Sequence, residues 1–172
     1  SISYVKWAPI RLFDLFGDDH KLADRYQRGA CFVVRLCPSD YHRFHFPIGG
    51  VAGSTRIVPG RLHSVSPYAL EQKIPVFCLN KRTMTEIKTD NAGNVLFMEV
   101  GALLVGGIVQ TYPVGRKFER GAEKGFFKFG GSTVIAFFEE GRLQFDSDLI
   151  ENSKLQIETL VKMGEKIAML RT

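Results

Sequence analysis

The sequence has little cysteine or histidine, and no pattern that would gather either around a metal. Cys31, Cys37 and Cys78 are an odd number, widely separated, and set among apolar neighbours without a CxxC pair. That excludes a disulfide framework and favours buried free thiols in a reducing compartment. The four histidines, His20, His42, His45 and His63, have no further ligands at metal-site spacing, so no metal is expected. No apolar run approaches the roughly 20 residues that cross a bilayer, and no signal peptide precedes the first charged residues, so the chain is expected to be soluble or peripheral to a membrane. Walker and GxGxxG loops are absent, as are solenoid repeats, low-complexity tracts and Gly/Ser linkers, which leaves one undivided domain without a ready-made nucleotide cradle. The basic residues are scattered, not interleaved with aromatics on one face, which argues against nucleic-acid binding.

What is present favours sheet. The chain has 172 residues, 45% of them hydrophobic, enough for one sizeable core. Fourteen phenylalanines, 17 glycines and repeated Val/Ile runs suit strands joined by tight turns. The expected fold is mainly β (α+β), a single antiparallel barrel or sandwich-like domain over residues 1–172 with short N-terminal helices. A net charge of +5 and a pI near 9.2 favour anionic partners without choosing among nucleic acid, phosphorylated metabolites and acidic lipid headgroups.

In order, helices are expected over Ile10–Phe16 and Asp18–Gln27, the second started by Asp18 and Asp19 and stopped by Gly29. The apolar side of the first, with Trp7 and Phe13, reads as core packing ahead of a seat in a membrane interface. Strands follow over Cys31–Leu36, Phe44–Ile48, Val51–Val58 and Leu62–Val65, then a polar connection over 68–75 and a strand over Val76–Leu79. Arg82–Thr89 and Val95–Val100 flank the hairpin loop 90–94. Ala102–Thr111 contains a Gly106-Gly107 bulge signal, and Arg116–Lys124 reads as a charged, solvated loop. Phe126–Phe138, Leu143–Phe145, a short helix over Asp148–Ser153, and strands over Glu158–Val161 and Lys166–Leu170 complete the chain.

Two stretches carry chemistry. In Phe129-Gly130-Gly131-Ser132-Thr133-Val134-Ile135 a hydroxyl follows two glycines. The glycines leave the preceding peptide bond open to attack, so Ser132 could add to the Gly131 carbonyl if a base took its proton. The plainer reading is a glycine turn between strands. In Asp40-Tyr41-His42-Arg43-Phe44-His45 the three-residue spacing puts both histidines on one side of a turn, whereas a straight strand would put them on opposite faces. His20 reads as a solvated helix residue and His63 as a strand surface position.

Taken together, Arg35-Leu36-Cys37-Pro38-Ser39-Asp40-Tyr41-His42-Arg43-Phe44-His45 and Phe127-Lys128-Phe129-Gly130-Gly131-Ser132-Thr133 resemble phosphatidylserine decarboxylase. Gly60-Arg61-Leu62-His63-Ser64-Val65-Ser66-Pro67 and Gly121-Ala122-Glu123-Lys124-Gly125 add to the resemblance, which spans nearly the whole chain. It implies a self-cleaving enzyme whose covalent pyruvoyl cofactor is made from Ser132. Cleavage between Gly131 and Ser132 would give a β chain of 1–131 and an α chain of 132–172. His45 matches the family's base for cleavage, and imidazole titrates near neutrality. His42 matches the histidine assigned to decarboxylation. The implied substrate is phosphatidylserine, the product phosphatidylethanolamine, and the location the cytoplasmic side of a membrane as a peripheral protein; pairing of two copies is left open. The family's Pro-x-Asp-Gly segment, whose aspartate orients the base, has no counterpart in residues 1–29, which implies either that this chain is a piece of a longer protein or that its processing triad is incomplete. Two alternatives remain: a pyruvoyl-dependent decarboxylase of a soluble amino acid, and an inactive β domain that binds lipid or a partner.

Overall fold

The computed structural model describes residues 2–5, 8–65, 75–102, 107–128 and 132–171. Strands β1 (Ile2–Val5) and β2 (Ala8–Arg11) form a ribbon and lead into helices α1 (Leu12–Leu15) and α2 (His20–Tyr26). Next come β3 (Ala30–Leu36), β4 (Arg43–His45), β5 (Gly50–Ala52), β6 (Arg56–Val58) and helix α3 (Val76–Leu79). The hairpin β7 (Arg82–Lys88) and β8 (Asn94–Val100) precedes β9 (Gly107–Gln110), β10 (Lys117–Phe118) and β11 (Glu123–Lys128). The chain ends with β12 (Ser132–Phe138), β13 (Leu143–Phe145), helix α4 (Ser147–Lys154) and β14 (Ala168–Leu170).

The main sheet runs β10-β5-β7-β8-β12-β3, with β6 also on β7, and a three-stranded sheet runs β4-β11-β9. All of these pairs are antiparallel. The described residues form no closed barrel; the sandwich-like alternative is the one observed.

Strand β12 shows why the layers stack as they do. All seven of its residues are buried, so its sequence is a near-continuous apolar run with no polar face. Ile135 and Phe137 join a core with Leu15, Phe16, Tyr26 and Phe77 from the helical segments. Val134, Ala136 and Phe138 join a second core with Phe44 and Phe127 of the smaller sheet. The large sheet is therefore the middle layer between helices and a second sheet, and strand alternation decides which core each side chain enters.

The helical side is tied down by Arg82, which is 2% exposed. Its guanidinium donates to the carbonyls of Asp14 and Leu15 at the end of α1 and of Cys78 and Asn80 at the end of α3, at 2.7–3.0 Å. A cation suits two helix C-termini, where carbonyls lack intrahelical donors. Helix α2 is capped by Asp19, whose carboxylate accepts the Leu22 N–H at 3.0 Å. That bond, helped by Arg56, holds the Asp19 pKa below its ordinary value. Asp19→Ala is expected to cost about 1 kcal/mol and roughly 2–4 °C in Tm by thermal melts at neutral pH. Because the folded-state pKa is lowered, the contribution is present above the ordinary carboxylate pKa and lost as pH falls through the folded value, so the two melting curves should converge in acid.

Several expectations are corrected. Ile10 and Arg11 belong to strand β2, so the first helix starts only at Leu12. Its apolar residues Leu12, Leu15 and Phe16 are buried in the core and offer nothing to a membrane interface, while Trp7 lies outside the described residues. Val51–Val58 is two short strands separated at 53–55, and Val76–Leu79 is a helical turn. No strand forms over Leu62–Val65 or Glu158–Val161. The hairpin 90–94 forms as expected, with Gly93 at φ 69° turning the chain. The Gly106 bulge signal lies outside the described residues.

Candidate active site

Ser132 opens β12, immediately after a junction, residues 129–131, that lies outside the described residues and includes Gly131. Thr133 and Val134 pair with Val100 and Glu99 on one side, and Ser132 itself pairs with Leu36 on the other. By strand alternation the Ser132 side chain shares the face of Val134 and Ala136, towards the smaller sheet. It is wholly buried, and its Oγ has no hydrogen-bond partner among the described residues; the Thr133 hydroxyl next to it is buried and unpartnered in the same way. Buried hydroxyls are normally satisfied, so this end of β12 is not built for cohesion by hydrogen bonds.

His45 ends β4 and His42 immediately precedes it; β4 pairs with β11, the last strand before residues 129–131 in sequence. The Phe127 N–H donates to the His42 carbonyl at 2.9 Å, which places His42 beside the last turn of chain before the junction. The His42 Nδ1 lies 2.6 Å from the Asp40 carbonyl. A carbonyl can only accept, so His42 Nδ1 carries a proton. His45 is set the same way: Nδ1–H donates to the Gly121 carbonyl at 2.8 Å, and Nε2 accepts the Tyr41 hydroxyl at 3.0 Å. In both rings a backbone carbonyl holds Nδ1–H. The small sheet and β12 meet in one core through Phe44, Phe127 and Val134. Among the described residues Ser132 Oγ makes no hydrogen bond to either histidine, and Tyr41 occupies Nε2 of His45.

The other two histidines stand apart. His20 is exposed on α2, its ring 4.3 Å from that of Phe13. His63 is half-buried in a loop, not on a strand surface; its backbone is clasped by the Asn80 side chain, and its Nε2 is buried without a partner among the described residues. Cys31 and Cys78 are half-buried free thiols, each pushed up to about 11, Cys31 by burial and Cys78 chiefly so. Among the described residues no group of three or more His, Cys, Asp or Glu could hold a metal.

Sequence reasoning missed the charged cluster behind the site. Lys124, assigned to a solvated loop, is 0% exposed on β11. Its ammonium is 2.6 Å from Glu99 and 2.7 Å from Gln110, and 5.0–6.0 Å from the ring centres of Tyr112, Phe97, Phe44 and Phe46. Burial pulls the Lys124 pKa down, and Glu99 opposes that shift. The second Glu99 oxygen accepts the Thr83 hydroxyl at 2.5 Å and Gln110 Nε2 at 3.3 Å. The available signal was Glu99 itself: a carboxylate inside the apolar strand Val95–Val100 demands a buried cation.

The family model of phosphatidylserine decarboxylase matches residues 1–169. The chain belongs to the phosphatidylserine decarboxylase family. A relative from Chlamydia caviae named phosphatidylserine decarboxylase proenzyme is 51% identical over 163 residues, 95% of this chain and 54% of its own length. Proenzymes of the same name from Clostridium tetani and Clostridium botulinum strain Hall are 46% and 47% identical over 96% and 97% of this chain, each to 56% of its own length. The chain thus spans about half the length of the phosphatidylserine decarboxylase relatives it matches.

Proposed function

We propose that the protein containing this chain is a phosphatidylserine decarboxylase that makes a pyruvoyl group from Ser132 by self-cleavage and acts at a membrane surface. The observation that carries this reading is the wholly buried Ser132 hydroxyl at the head of β12, without a hydrogen-bond partner among the described residues, on a strand whose Val134 shares one core with Phe44, which lies between the two histidines in sequence.

The residues suit the group. Conversion of serine to pyruvoyl removes Oγ and leaves a methyl carbon, and a hydroxyl with no hydrogen bond can be lost without stranding a partner. In cleavage, His45 Nε2 takes the Oγ proton as Oγ bonds to the Gly131 carbonyl carbon, and returns it to the departing nitrogen as the amide C–N bond breaks, giving an ester and a free amine. Loss of the Ser132 Cα proton then expels Gly131 as a carboxylate. Water enters the remaining dehydro residue and ammonia leaves, which accounts for all atoms. The pyruvoyl group supplies an electron sink for the pair released with CO₂, as pyridoxal phosphate does elsewhere. His42, its Nδ1–H held by the Asp40 carbonyl, hands over a proton during decarboxylation in this reading.

The fold favours products that stay together. β12 lies between β3 and β8, paired along its length to both, and Arg35 makes a bidentate pair with Glu158 across the two segments at 2.7–2.9 Å. A membrane role is supported by Leu155, Ile157, Leu160 and Met163, which are 55–93% exposed in one segment. No helix among the described residues is long and apolar enough to cross a membrane.

The test is CO₂ release by the full-length protein from phosphatidylserine vesicles against free serine. Release from vesicles alone supports the reading; release from free serine alone would transfer the activity to a soluble amino acid, and none from either would leave a binding domain. One variant probes the base. Tyr41→Phe removes the hydroxyl that occupies His45 Nε2 and is expected to speed cleavage by roughly three- to tenfold, the worth of a neutral hydrogen bond. Conversion of precursor to two bands over time measures it.

A further inference from the structure

The buried cluster has one feature that packing alone does not require. Along β11 the partners on β4 pass from Glu123↔His45 to Gly125↔Phe44, so Lys124 has no partner and is the extra residue of a β-bulge. The bulge turns two consecutive positions inward. Lys124 is wholly buried, and at Gly125 a Cβ would lie 2.1 Å from the Val109 carbonyl and 2.8 Å from the Phe44 ring. Plain alternation would send one of these outward. Glu123, on the outer side, pairs with Arg43 at 2.8 Å.

A buried cation is tolerated only where it is paired and hydrogen-bonded. Lys124 meets that condition in the observed register alone, because Glu99 is fixed in the middle of the large sheet between Thr83 and Val134. A slip of one residue would turn Lys124 away from Glu99 and leave a carboxylate buried without its cation. The same slip would move each histidine of the β4 segment about 3.3 Å along β11 and reverse its face.

We propose that the Lys124–Glu99 pair, through the bulge it holds, is a positioning device for self-cleavage: it sets the register in which the strand bearing His42 and His45 lies against the strand that feeds Ser132. This rests on the self-cleaving reading above. Neither residue touches the reacting atoms; each acts by placing the histidines.

The experiment replaces both charges in the full-length protein, Lys124→Met with Glu99→Leu. Apolar substitution of a whole buried pair is commonly neutral or stabilising, so the double variant is expected to fold with a Tm close to wild type. Its cleavage is expected to slow at least about a hundredfold, since even roughly 1 Å of misplacement costs that much and the slip moves the histidines further. Register is read separately, by placing cysteine at 43 and at 126 and following the cross-link by mass spectrometry. With the pair intact, 43 links to 126, its present partner; with the pair removed, that link is expected to be lost. Wild-type cleavage together with a 43–126 link in the double variant would overturn the proposal. Thr83→Val and Gln110→Met loosen the pair without removing a charge, and each is expected to slow cleavage roughly tenfold. Unchanged rates in both would overturn it even if the double variant fails to fold. If the wild-type protein never cleaves, the self-cleaving reading falls, and the cross-link still decides whether the pair sets the register.

Discussion

Ser132→Ala is expected to leave the protein as one uncut chain with decarboxylation at background, while its Tm stays the same or rises. The two halves of this expectation come from the same observation. In the proposed mechanism the Ser132 hydroxyl both attacks Gly131 and gives rise to the electron-withdrawing centre, so without it neither cleavage nor catalysis has a starting point. Yet Oγ makes no hydrogen bond among the described residues and is buried, and removing an unsatisfied polar atom relieves a desolvation cost. Gel electrophoresis, vesicle assay and a thermal melt on one sample check all three. A cleaved or active alanine variant would remove Ser132 from the mechanism, and a large fall in Tm would make its hydroxyl structural.

Lys124→Met alone has the largest expected effect on stability, about 3–5 kcal/mol, or a fall in Tm of roughly 10 °C or more. The substitution leaves the Glu99 carboxylate, 0% exposed, with only Thr83 and Gln110 as partners. Much of the loss should return when Glu99→Leu is added, because the cost is that of an unpaired charge and not of missing volume. Denaturant unfolding of the two single variants and the double variant measures this as a coupling energy. Additive losses would show that the pair is not a unit.

The sequence made the chemistry more legible than the packing. Ser132 stands out because Gly130 and Gly131 precede it; the turn expected to carry both histidines forms ahead of them, over 38–40, and His45 lies in β4. The central strands were legible for a similar reason: Arg82–Lys88, Asn94–Val100 and Ser132–Phe138 are long and rich in β-branched and aromatic residues. Short apolar runs were not. Val76–Leu79 is four residues, too few for periodicity to separate strand from helix, and it becomes a helical turn whose end is capped by Arg82. Val51–Val58 looked continuous, but Gly53 interrupts the pairing, and its two parts meet opposite ends of β7.

Lys124 shows the deeper difficulty. It lies among charged residues, and such a run is ordinarily solvated. Only a bulge, which depends on a partner strand some eighty positions away in sequence, turns it into the core. The occupation of His45 by Tyr41 was equally out of reach, because residue spacing gives proximity along the chain and no side-chain direction.

The most direct test of the central claim is the intact mass of the purified full-length protein under denaturing conditions. Two chains are predicted, split between Gly131 and Ser132, with the C-terminal chain blocked at position 132 by a pyruvoyl group and therefore lighter than the serine-started peptide. A single uncut chain, or a chain starting at 132 with an unmodified serine, would contradict it.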